Sequence, residues 1–411
     1  MFKRVIILFC FLFSYVAQGQ IPEASVPDRT KTEKKDAIKD HSDELDLIDI
    51  ASRLIEVKDK RHLDTADVPP PNIRISALPA AGYTLQTGFA AIAFANAAFY
   101  LDHSKETNES SVLTSVTYSQ YNQIIFPIQT NIWTAKNKYN IVTDWRFLKF
   151  PSYTYGIGGE TSLDDAYTVD YSAIRLHQKI FRKVSKDFYA GAGYSYDVFW
   201  NIKEVDPPPG QQTDYEQYGF SKTAIASGLT LNLLYDNRKN SINADKGFYA
   251  NIEYRPNFTV LGSDNNWQSL QLDVRNYIKM PNKSVLAFWT FDWFTVAGSP
   301  PYLMLPNTGG DPYSNTGRGY IQGRYRAKNM VYLESEYRFN LTRNGLFGAV
   351  VFANAASYAQ QGNDMFDMIA PGFGAGLRIK LNKYSRTNLA IDYGVGTGGS
   401  RGFFVNLGEV F

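Results

Sequence analysis

Apolar and polar residues alternate with a period of two through most of this chain, from about residue 112 to residue 411. A period of two places successive side chains on opposite faces of a strand, so the pattern predicts one strand after another. In residues 372–381, for example, one face is wholly apolar while the other holds only glycine, arginine and lysine. No helical period of any length interrupts the alternation. The predicted fold class is therefore all-β.

Fourteen alternating segments can be written with turns between them, and residues 73–101 are expected to hold one or two more. Many segments are ten to fifteen residues long, which is enough to cross a bilayer at a tilt and exceeds the short strands of soluble sandwiches. Barrels of this type have an even number of strands. The prediction is a transmembrane antiparallel β-barrel of sixteen strands. The fourteen segments are residues 112–121, 124–134, 139–150, 167–181, 187–200, 221–236, 247–256, 267–279, 285–296, 328–339, 346–356, 372–381, 387–396 and 402–411.

The aromatic content and the loop lengths agree with a barrel in a membrane. The chain has 28 Tyr and 27 Phe, and aromatic residues cluster toward the strand ends, as an interfacial girdle requires. Counting strands back from residue 411 places residues 201–220 and 299–326 outside the membrane and residues 237–246 inside. The charged connection at residues 102–111 also falls inside, where such turns are usually shorter.

Residues 1–19 have the features of a secretory signal peptide. Lys3 and Arg4 precede an apolar core at residues 5–16, and small residues follow at the cleavage spacing. The core is too short to span a membrane as a helix. Because Cys10 lies inside it and is the only cysteine, the mature chain is predicted to have neither disulfides nor thiolate metal sites. Secretion and a barrel together predict the outer membrane of a Gram-negative bacterium, with its lipid as a partner.

Residues 20–71 form a polar, charge-dense segment that is predicted to lie in the periplasm before a barrel domain at residues 72–411. Within it, residues 36–60 have one approximate helical stripe of apolar side chains. Two interpretations fit the stripe: a solvated helix on a tether, or a helix that docks a partner or plugs a pore. Three prolines at residues 69–71 end any helix and mark the domain boundary. The residues of the stripe are Ile38, Leu45, Ile48 and Ile55.

Nothing in the sequence indicates catalysis. The four histidines share no metal-ligand spacing, and no G-x-S-x-G elbow, Walker loop or H-E-x-x-H is present. Residues 394–399 match G-x-G-x-x-G, but a predicted strand follows instead of the helix that would bind a pyrophosphate, so a glycine-rich hairpin loop is the better interpretation. The net charge of +2 gives no basis for a nucleic-acid partner. We predict a protein that is not an enzyme and has no cofactor and no metal site.

The stretch GRGYIQGRYR, residues 317–326, carries three arginines at the end of a loop rich in Pro, Gly, Asn and Asp. Its Arg318-Gly319-Tyr320 is similar to the V/I-R-G-F/Y signature in the sixth extracellular loop of the outer-membrane insertase superfamily. These surface-antigen barrels include BamA, TamA and the two-partner secretion transporters. Gly317 stands where that family prefers a branched residue.

Two further stretches carry the same resemblance. Residues 234–254 are similar to the family's Tyr-Asp-Thr-Arg-Asp-Asn…Gly turn, and residues 371–398 are similar to its last strands. The resemblance covers most of residues 72–411 loosely and residues 234–411 with specific motifs. It implies a sixteen-stranded barrel whose sixth loop folds back into the lumen.

The resemblance also implies that Arg318, Gly319 and Tyr320 anchor this loop in the lumen. A desolvated arginine must find acidic or hydrogen-bonding partners. In the family the acid belongs to an F-x-D-x-G motif, which here reads FANAA at residues 352–356, with Asn354 in place of the acid. The charge partner must therefore come from elsewhere. The candidate lumen partners are Glu336, Asn354, Arg378 and Asp392.

The family's last strand carries alternating apolar residues and a terminal aromatic, which form the signal for its own insertion. Here the corresponding residues are Phe403, Val405, Leu407 and Phe411. Glu409 interrupts this lipid-facing row, but a charge near the membrane edge costs only about 0–1 kcal/mol.

Three functions remain open. Insertases of the family carry periplasmic POTRA domains, whereas residues 20–71 are shorter than one and lack its strands. The first function is outer-membrane protein assembly or translocation, with assembly-complex subunits or substrate proteins as partners; it predicts a weak seam between the first and last strands, which the small residues at 89–98 would fit. The second is a channel, which a loop plugged into the lumen opposes. The third is a structural barrel whose outer loops bind external partners.

Overall fold

One antiparallel sheet, wound into a nearly closed barrel, contains the seventeen strands of the described chain. The structure, a computed structural model, describes residues 43–54, 73–84, 86–102, 104, 106–210 and 212–411. The predicted signal peptide, and most of the predicted periplasmic segment, lie outside these residues. The helices are α1 (Leu47–Leu54) and α2 (Asp214–Gly219). The strands are β1 (Arg74–Thr84), β2 (Gly88–Phe99), β3 (Ser110–Ser119), β4 (Ile124–Trp133), β5 (Tyr139–Lys149), β6 (Ser152–Thr154), β7 (Tyr167–Ser185), β8 (Phe188–Val205), β9 (Thr223–Asp236), β10 (Gly247–Asn257), β11 (Trp267–Lys279), β12 (Val285–Gly298), β13 (Asn329–Asn340), β14 (Phe347–Ala359), β15 (Ala370–Asn382), β16 (Thr387–Gly396) and β17 (Arg401–Leu407).

The strands pair in the order in which they occur along the chain, as in a simple meander. The short strand β6 pairs with β7 directly beyond the end of β5, so β5 and β6 together occupy one position in the barrel. The barrel thus has sixteen positions, and the predicted fold and strand number are confirmed. Residues 73–101 contain two strands, β1 and β2, which pair along eleven residues from Arg74 to Thr84.

The side chains of the strands have the reverse of the usual distribution in a soluble protein. In β9, Leu231 is 57% exposed, while its neighbours Thr230 and Asn232 are buried. In β13, Leu333 is 58% exposed, while Glu334 is fully buried. Apolar residues on the outside and polar residues inside are the pattern of a barrel whose outer face meets lipid and whose lumen is polar.

The barrel closes at a seam between the first and last strands. A Cβ atom placed on Gly82 of β1 would lie 4.0 Å from Cγ2 of Val405 of β17, so the two strands are neighbours. Within residues 73–84 and 401–407, however, no ladder of paired residues joins them, whereas every other pair of adjacent positions has one. Pro79 in β1 also lacks an amide hydrogen for a neighbouring strand.

The two ends of the barrel differ in their connections. The β12–β13 connection, residues 299–328, lies at the end that we call the loop end, together with the β8–β9 connection that holds α2. The β9–β10 connection, residues 237–246, lies at the opposite end, the turn end. This agrees with the predicted sides, although β8 extends to Val205 and so takes up the start of the predicted loop at residues 201–220.

Helix α1 lies against the turn end. Asp46 and Asp49 accept hydrogen bonds from each other's backbone amides, which is the reciprocal arrangement of a capping box. The same two carboxylates contact Lys383 in the β15–β16 turn: its amide donates to Asp46 (2.8 Å) and its ammonium group lies 3.0 Å from Asp49. Lys380 pairs with Glu44 at 3.2 Å. The described part of this segment is thus docked through acidic residues, and Ile38 and Ile55 of the predicted apolar stripe lie outside the described residues.

No helix in the described ranges is both long enough and apolar enough to cross a membrane.

The last strand ends earlier than the sequence predicts. Phe403, Val405 and Leu407 follow one row of β17, where Phe403 is 47% exposed on the outer face. The strand stops at Leu407, and Phe411 lies inside the barrel, 5% exposed. The expected continuation of the lipid-facing row through Glu409 to Phe411 is therefore wrong. A role for these residues as an insertion signal stays a prediction.

Candidate functional site: a loop anchored in the lumen

The β12–β13 connection, which we call the lumen loop, folds into the barrel and crosses it. The carboxylate of Asp311 accepts hydrogen bonds from the amides of Asn315 (2.9 Å) and Thr316 (2.7 Å), which closes the turn at the tip of the loop. The neighbouring carbonyl of Pro312 accepts hydrogen bonds from Gln129 and Arg146 on β4 and β5. Residues that follow the tip contact the opposite wall. The loop thus spans the lumen.

Arg318 is held by three carboxylates on the wall of the barrel. Its guanidinium group contacts Asp392 of β16 at 2.7 Å and also pairs with Glu334 and Glu336 of β13. All four side chains are essentially buried, and the guanidinium carbon lies 3.7 Å from the ring centre of Phe352. Burial alone would lower the pKa of Arg318, but the carboxylates raise it well above its ordinary value. Arg318 therefore stays charged and fixes the loop to two strands.

Two further arginines extend the network around these acids. Arg338 pairs with Glu336 at 2.6 Å, and Arg378 pairs with Asp392 and lies 4.0 Å from Glu336. Arg378 also binds Glu409 at 2.8 Å. The result is a cluster of three arginines and four carboxylates in which each buried charge has an opposite neighbour, as burial demands. Such forked pairs fix orientation as well as charge.

The amide of Asn354 takes a different part from the acid that it replaces. Its Nδ2 donates to the backbone carbonyl of Arg318 at 2.9 Å and lies 3.5 Å from Glu334. A carboxylate could not donate to that carbonyl. Of the four predicted partners, Glu336 and Asp392 contact the guanidinium, Asn354 contacts the loop backbone, and Arg378 contacts the acids. The sequence reasoning missed Glu334, although it lies on the same face of β13 as Glu336.

Gly319 and Tyr320 lie on a glycine face of β16. Gly319 has φ +112°, and a Cβ atom there would be 2.9 Å from the backbone of Val395. A Cβ atom on Gly394 would be 2.7 Å from the amide nitrogen of Gly319, and one on Gly396 would enter the ring of Tyr320. Gly394 and Gly396 therefore lie at the end of β16, within the strand predicted at residues 387–396, and Gly398 and Gly399 lie in the hairpin loop that follows it. The glycines of β16 let two backbones approach closely.

Tyr320 closes this contact with its hydroxyl group. The hydroxyl donates to the carbonyl of Pro371 at 2.6 Å and accepts from the amide of Thr397 at 2.9 Å. Burial raises the pKa of Tyr320, so the phenol stays protonated and remains a donor. The three predicted anchor residues therefore all contact the barrel wall. Their role as a functional anchor stays a proposal.

The other two arginines of the stretch GRGYIQGRYR hold the loop at the loop end. Arg324 donates to the hydroxyl and the carbonyl of Thr161, and Arg326 donates to the carbonyl of Tyr302 at 3.0 Å. The amide of Gly158 in turn donates to the carbonyl of Arg326 at 2.7 Å. One arginine thus anchors the loop inside the barrel, and two fix its return to β13.

No cluster of three or more histidine, cysteine, aspartate or glutamate side chains that could hold a metal ion occurs in the described ranges.

A sixteen-position antiparallel barrel with an apolar outer face, a polar lumen and a loop tied inside by an R-G-Y motif defines a barrel of the outer-membrane type. A model of the Omp85 superfamily domain matches residues 153–411, which is more than half of the chain and includes the lumen loop. The chain belongs to the Omp85 superfamily. No curated protein sequence matches it.

Solved structures of the same architecture are similar in fold. BamA from Haemophilus ducreyi lacking POTRA domains 1–3 is 12% identical, with a TM-score of 0.52 over 87% of this chain and 78% of that chain. CdiB from Acinetobacter baumannii is 11% identical, with a TM-score of 0.52 over 83% of this chain and 66% of that chain. CdiB from Escherichia coli is 11% identical, with a TM-score of 0.53 over 83% and 63%. The match thus spans just under two thirds of the CdiB chains, and at these identities the likeness concerns the fold alone.

Proposed function

We propose that this protein lies in the outer membrane of a Gram-negative bacterium and takes part in the assembly or translocation of other outer-membrane proteins, without enzymatic activity, together with assembly subunits or substrate proteins. The observation that carries the proposal is the seam between β1 and β17, which are adjacent but share no ladder within residues 73–84 and 401–407. Strand edges of this kind can pair with an incoming strand.

The strands beside the seam also support this function. β17 is only seven residues long and pairs with β16 over residues 389–395. β1 and β2 are rich in alanine, and Pro79 interrupts the donors of β1. Short pairing and small side chains make separation of these strands less costly than elsewhere in the barrel.

A wide channel is a less suitable function, because the lumen loop contacts both walls. Pro312 contacts β4 and β5, and Arg318 contacts β13 and β16. A barrel whose loops bind external partners remains the alternative, and the exposed Val260 in the β10–β11 connection favours it, with 88% exposure at the loop end.

The proposal is tested by depleting the protein and measuring the abundance of all other outer-membrane proteins. A broad loss of other barrels or surface proteins before growth slows is the expected result. The depleted cells are then complemented with a chain that carries both Gly82→Cys and Val405→Cys. A short thiol crosslinker joins the two cysteines across the seam. The two single-cysteine chains, treated alike, are the matched controls. An unchanged set of outer-membrane proteins on depletion, or full complementation by the crosslinked chain, would reject an assembly role at the seam.

A further inference from the structure

Residues 408–411, which we call the tail, leave β17 and turn into the lumen at the turn end. Gly408 has φ +96°, a left-handed conformation that favours glycine. Its amide donates to the carbonyl of Asn388 at 2.7 Å, and the next amide, that of Glu409, donates to the carbonyl of Ile242 at 3.3 Å. The tail is thus bound inside the barrel through backbone and side-chain contacts.

The barrel wall supplies a carboxylate site for the tail. Glu409 accepts hydrogen bonds from Arg378 at 2.8 Å and from the side-chain amide of Asn388 at 2.6 Å, and Arg338 lies 3.8 Å away. Two guanidinium groups and an amide therefore converge on one carboxylate. Charge-assisted bonds of this kind are the strong ones in a site shielded from water.

Two residues further on, the wall supplies a site for an aromatic ring. Phe411 stacks on Trp289 with ring centres 5.2 Å apart at 27°, and the ring of Tyr277 is 6.2 Å away. The guanidinium carbon of Arg338 lies 5.0 Å from the centre of the Phe411 ring, and its Nη2 donates to the Phe411 carbonyl at 3.0 Å. The ring is 5% exposed. Stacking and cation–π contacts of this geometry are specific for an aromatic group.

None of the side chains that line these two sites comes from β17. Tyr277 lies on β11, Trp289 on β12, Arg338 on β13, Arg378 on β15 and Asn388 on β16. The wall forms a cradle, and the tail contributes only a carboxylate, one intervening residue and a ring. Between them the carbonyl of Val410 accepts a hydrogen bond from Asn315 of the lumen loop at 2.7 Å.

We propose that this cradle is a binding site for an extended peptide segment of the form acidic–x–aromatic, with the tail as its resident ligand. Such a segment of another polypeptide exchanges with the tail. The inference rests on the proposed function only in taking that polypeptide to be a substrate of assembly. Because Asn315 contacts the ligand backbone, exchange also reaches the lumen loop.

The test measures peptide binding to the purified full chain with Phe411→Ala, which removes the resident ring and nothing else. The probe is a fluorescently labelled peptide with the sequence of residues 406–411, NLGEVF, and its binding is followed by fluorescence anisotropy. The matched peptides NLGQVF and NLGEVA lack the carboxylate and the ring. The wild-type chain, and a chain with both Phe411→Ala and Trp289→Ala, are the protein controls. Heat-modifiable mobility in detergent gels reports folding of each chain.

We expect NLGEVF to bind the Phe411→Ala chain saturably and at least about tenfold more tightly than it binds the wild-type chain. NLGQVF and NLGEVA should bind the Phe411→Ala chain at least about tenfold more weakly than NLGEVF does. Addition of Trp289→Ala should abolish the binding of NLGEVF. Absence of binding to a folded Phe411→Ala chain, or equal binding of all three peptides, would overturn the proposal. So would a Phe411→Ala chain that does not fold, because an exchangeable ligand cannot be required for assembly of the barrel. The depletion experiment measures the assembly of other outer-membrane proteins and does not depend on the cradle. The proposed assembly function and the proposed peptide site can therefore fail separately.

Discussion

Replacement of Arg318 by alanine should release the lumen loop while leaving the barrel assembled. The substitution removes the cation that Glu334, Glu336 and Asp392 share. Glu336 keeps Arg338 and Asp392 keeps Arg378, but Arg318 is the only arginine paired with Glu334 among the described residues, so the buried carboxylate of Glu334 is left without a cation. Removal of one partner from a buried ion pair destabilises by about 3–5 kcal/mol, since the charge left behind stays desolvated. The barrel keeps its strand ladders, so this loss falls on the closed state of the loop and not on the sheet.

Hydrogen exchange followed by mass spectrometry gives the magnitude directly. A loss of about 3–5 kcal/mol raises the opening equilibrium of the loop by roughly 10²-fold to several thousandfold, and peptides from residues 306–320 should exchange faster by that factor. Arg324→Ala is the matched control, because Arg324 is equally part of the loop but its contacts are to neutral groups. It donates to Thr161 and lies over the rings of Tyr155 and Tyr325. Arg324→Ala should have a smaller effect, about 1–3 kcal/mol, at the loop end.

A second substitution separates charge from packing. If stranded charge is the cause, Glu334→Gln added to Arg318→Ala should recover part of the protection, whereas a loss of packing would not be recovered. Wild-type exchange of residues 306–320 in a folded Arg318→Ala chain would refute the anchor role of Arg318.

Two further predictions concern the contacts of the loop and of the N-terminal segment. Gly319→Ala should destabilise the lumen loop by more than the roughly 1–2 kcal/mol of left-handed backbone strain, because the added Cβ would also meet the backbone of β16. The control is Gly158→Ala: Gly158 has φ +111°, but a Cβ atom there would have no neighbour within 4 Å, so the same exchange measurement should show the strain alone. Lys383→Met should speed the hydrogen exchange of residues 43–54 roughly ten- to hundredfold, because it removes about 1.5–3 kcal/mol of charged hydrogen bonding. The control is Lys283→Met, which changes an exposed residue in another turn and should leave the exchange of residues 43–54 unaltered.

Much of the barrel could be predicted because a period of two is a local property. The face on which Glu336 and Asp392 lie follows from their own strands, and the structure places both inside. The partner of Arg318 is not local, because Asp392 is 74 residues away and reaches the guanidinium only through the order and register of β13 to β16. Glu334 was missed for the same reason: it alternates onto the inner face of β13 together with Glu336, but only the position of the lumen loop shows that it contacts Arg318.

Two features of the structure were indicated by the sequence: the close approach of the lumen loop to the glycines of β16, and the end of β17 before the tail. Glycine on alternate positions of a strand, as at 394 and 396, weakens the strand unless another backbone approaches there, and the lumen loop does so. At the end of the chain, Glu409 contradicts a lipid-facing row, and Gly408 directly before it permits a sharp turn. Together, Gly408 and the charge of Glu409 interrupt the alternation of apolar and polar residues and so indicated the end of β17. Its destination, next to Arg378, could not be read from the sequence because that arginine lies on another strand.

The seam and the tail are properties of one strand, and this links the two proposals mechanically. β17 faces β1 on one side without a ladder among the described residues, and its continuation passes into the cradle, where Val410 is bonded to Asn315 of the lumen loop. A movement of β17 away from β1 would therefore withdraw the tail from Trp289 and break the contact with Asn315. The loop would keep its stronger anchor, the three carboxylates around Arg318, because these lie on β13 and β16. Opening of the seam should thus disturb the tip of the loop first and leave Arg318 in place.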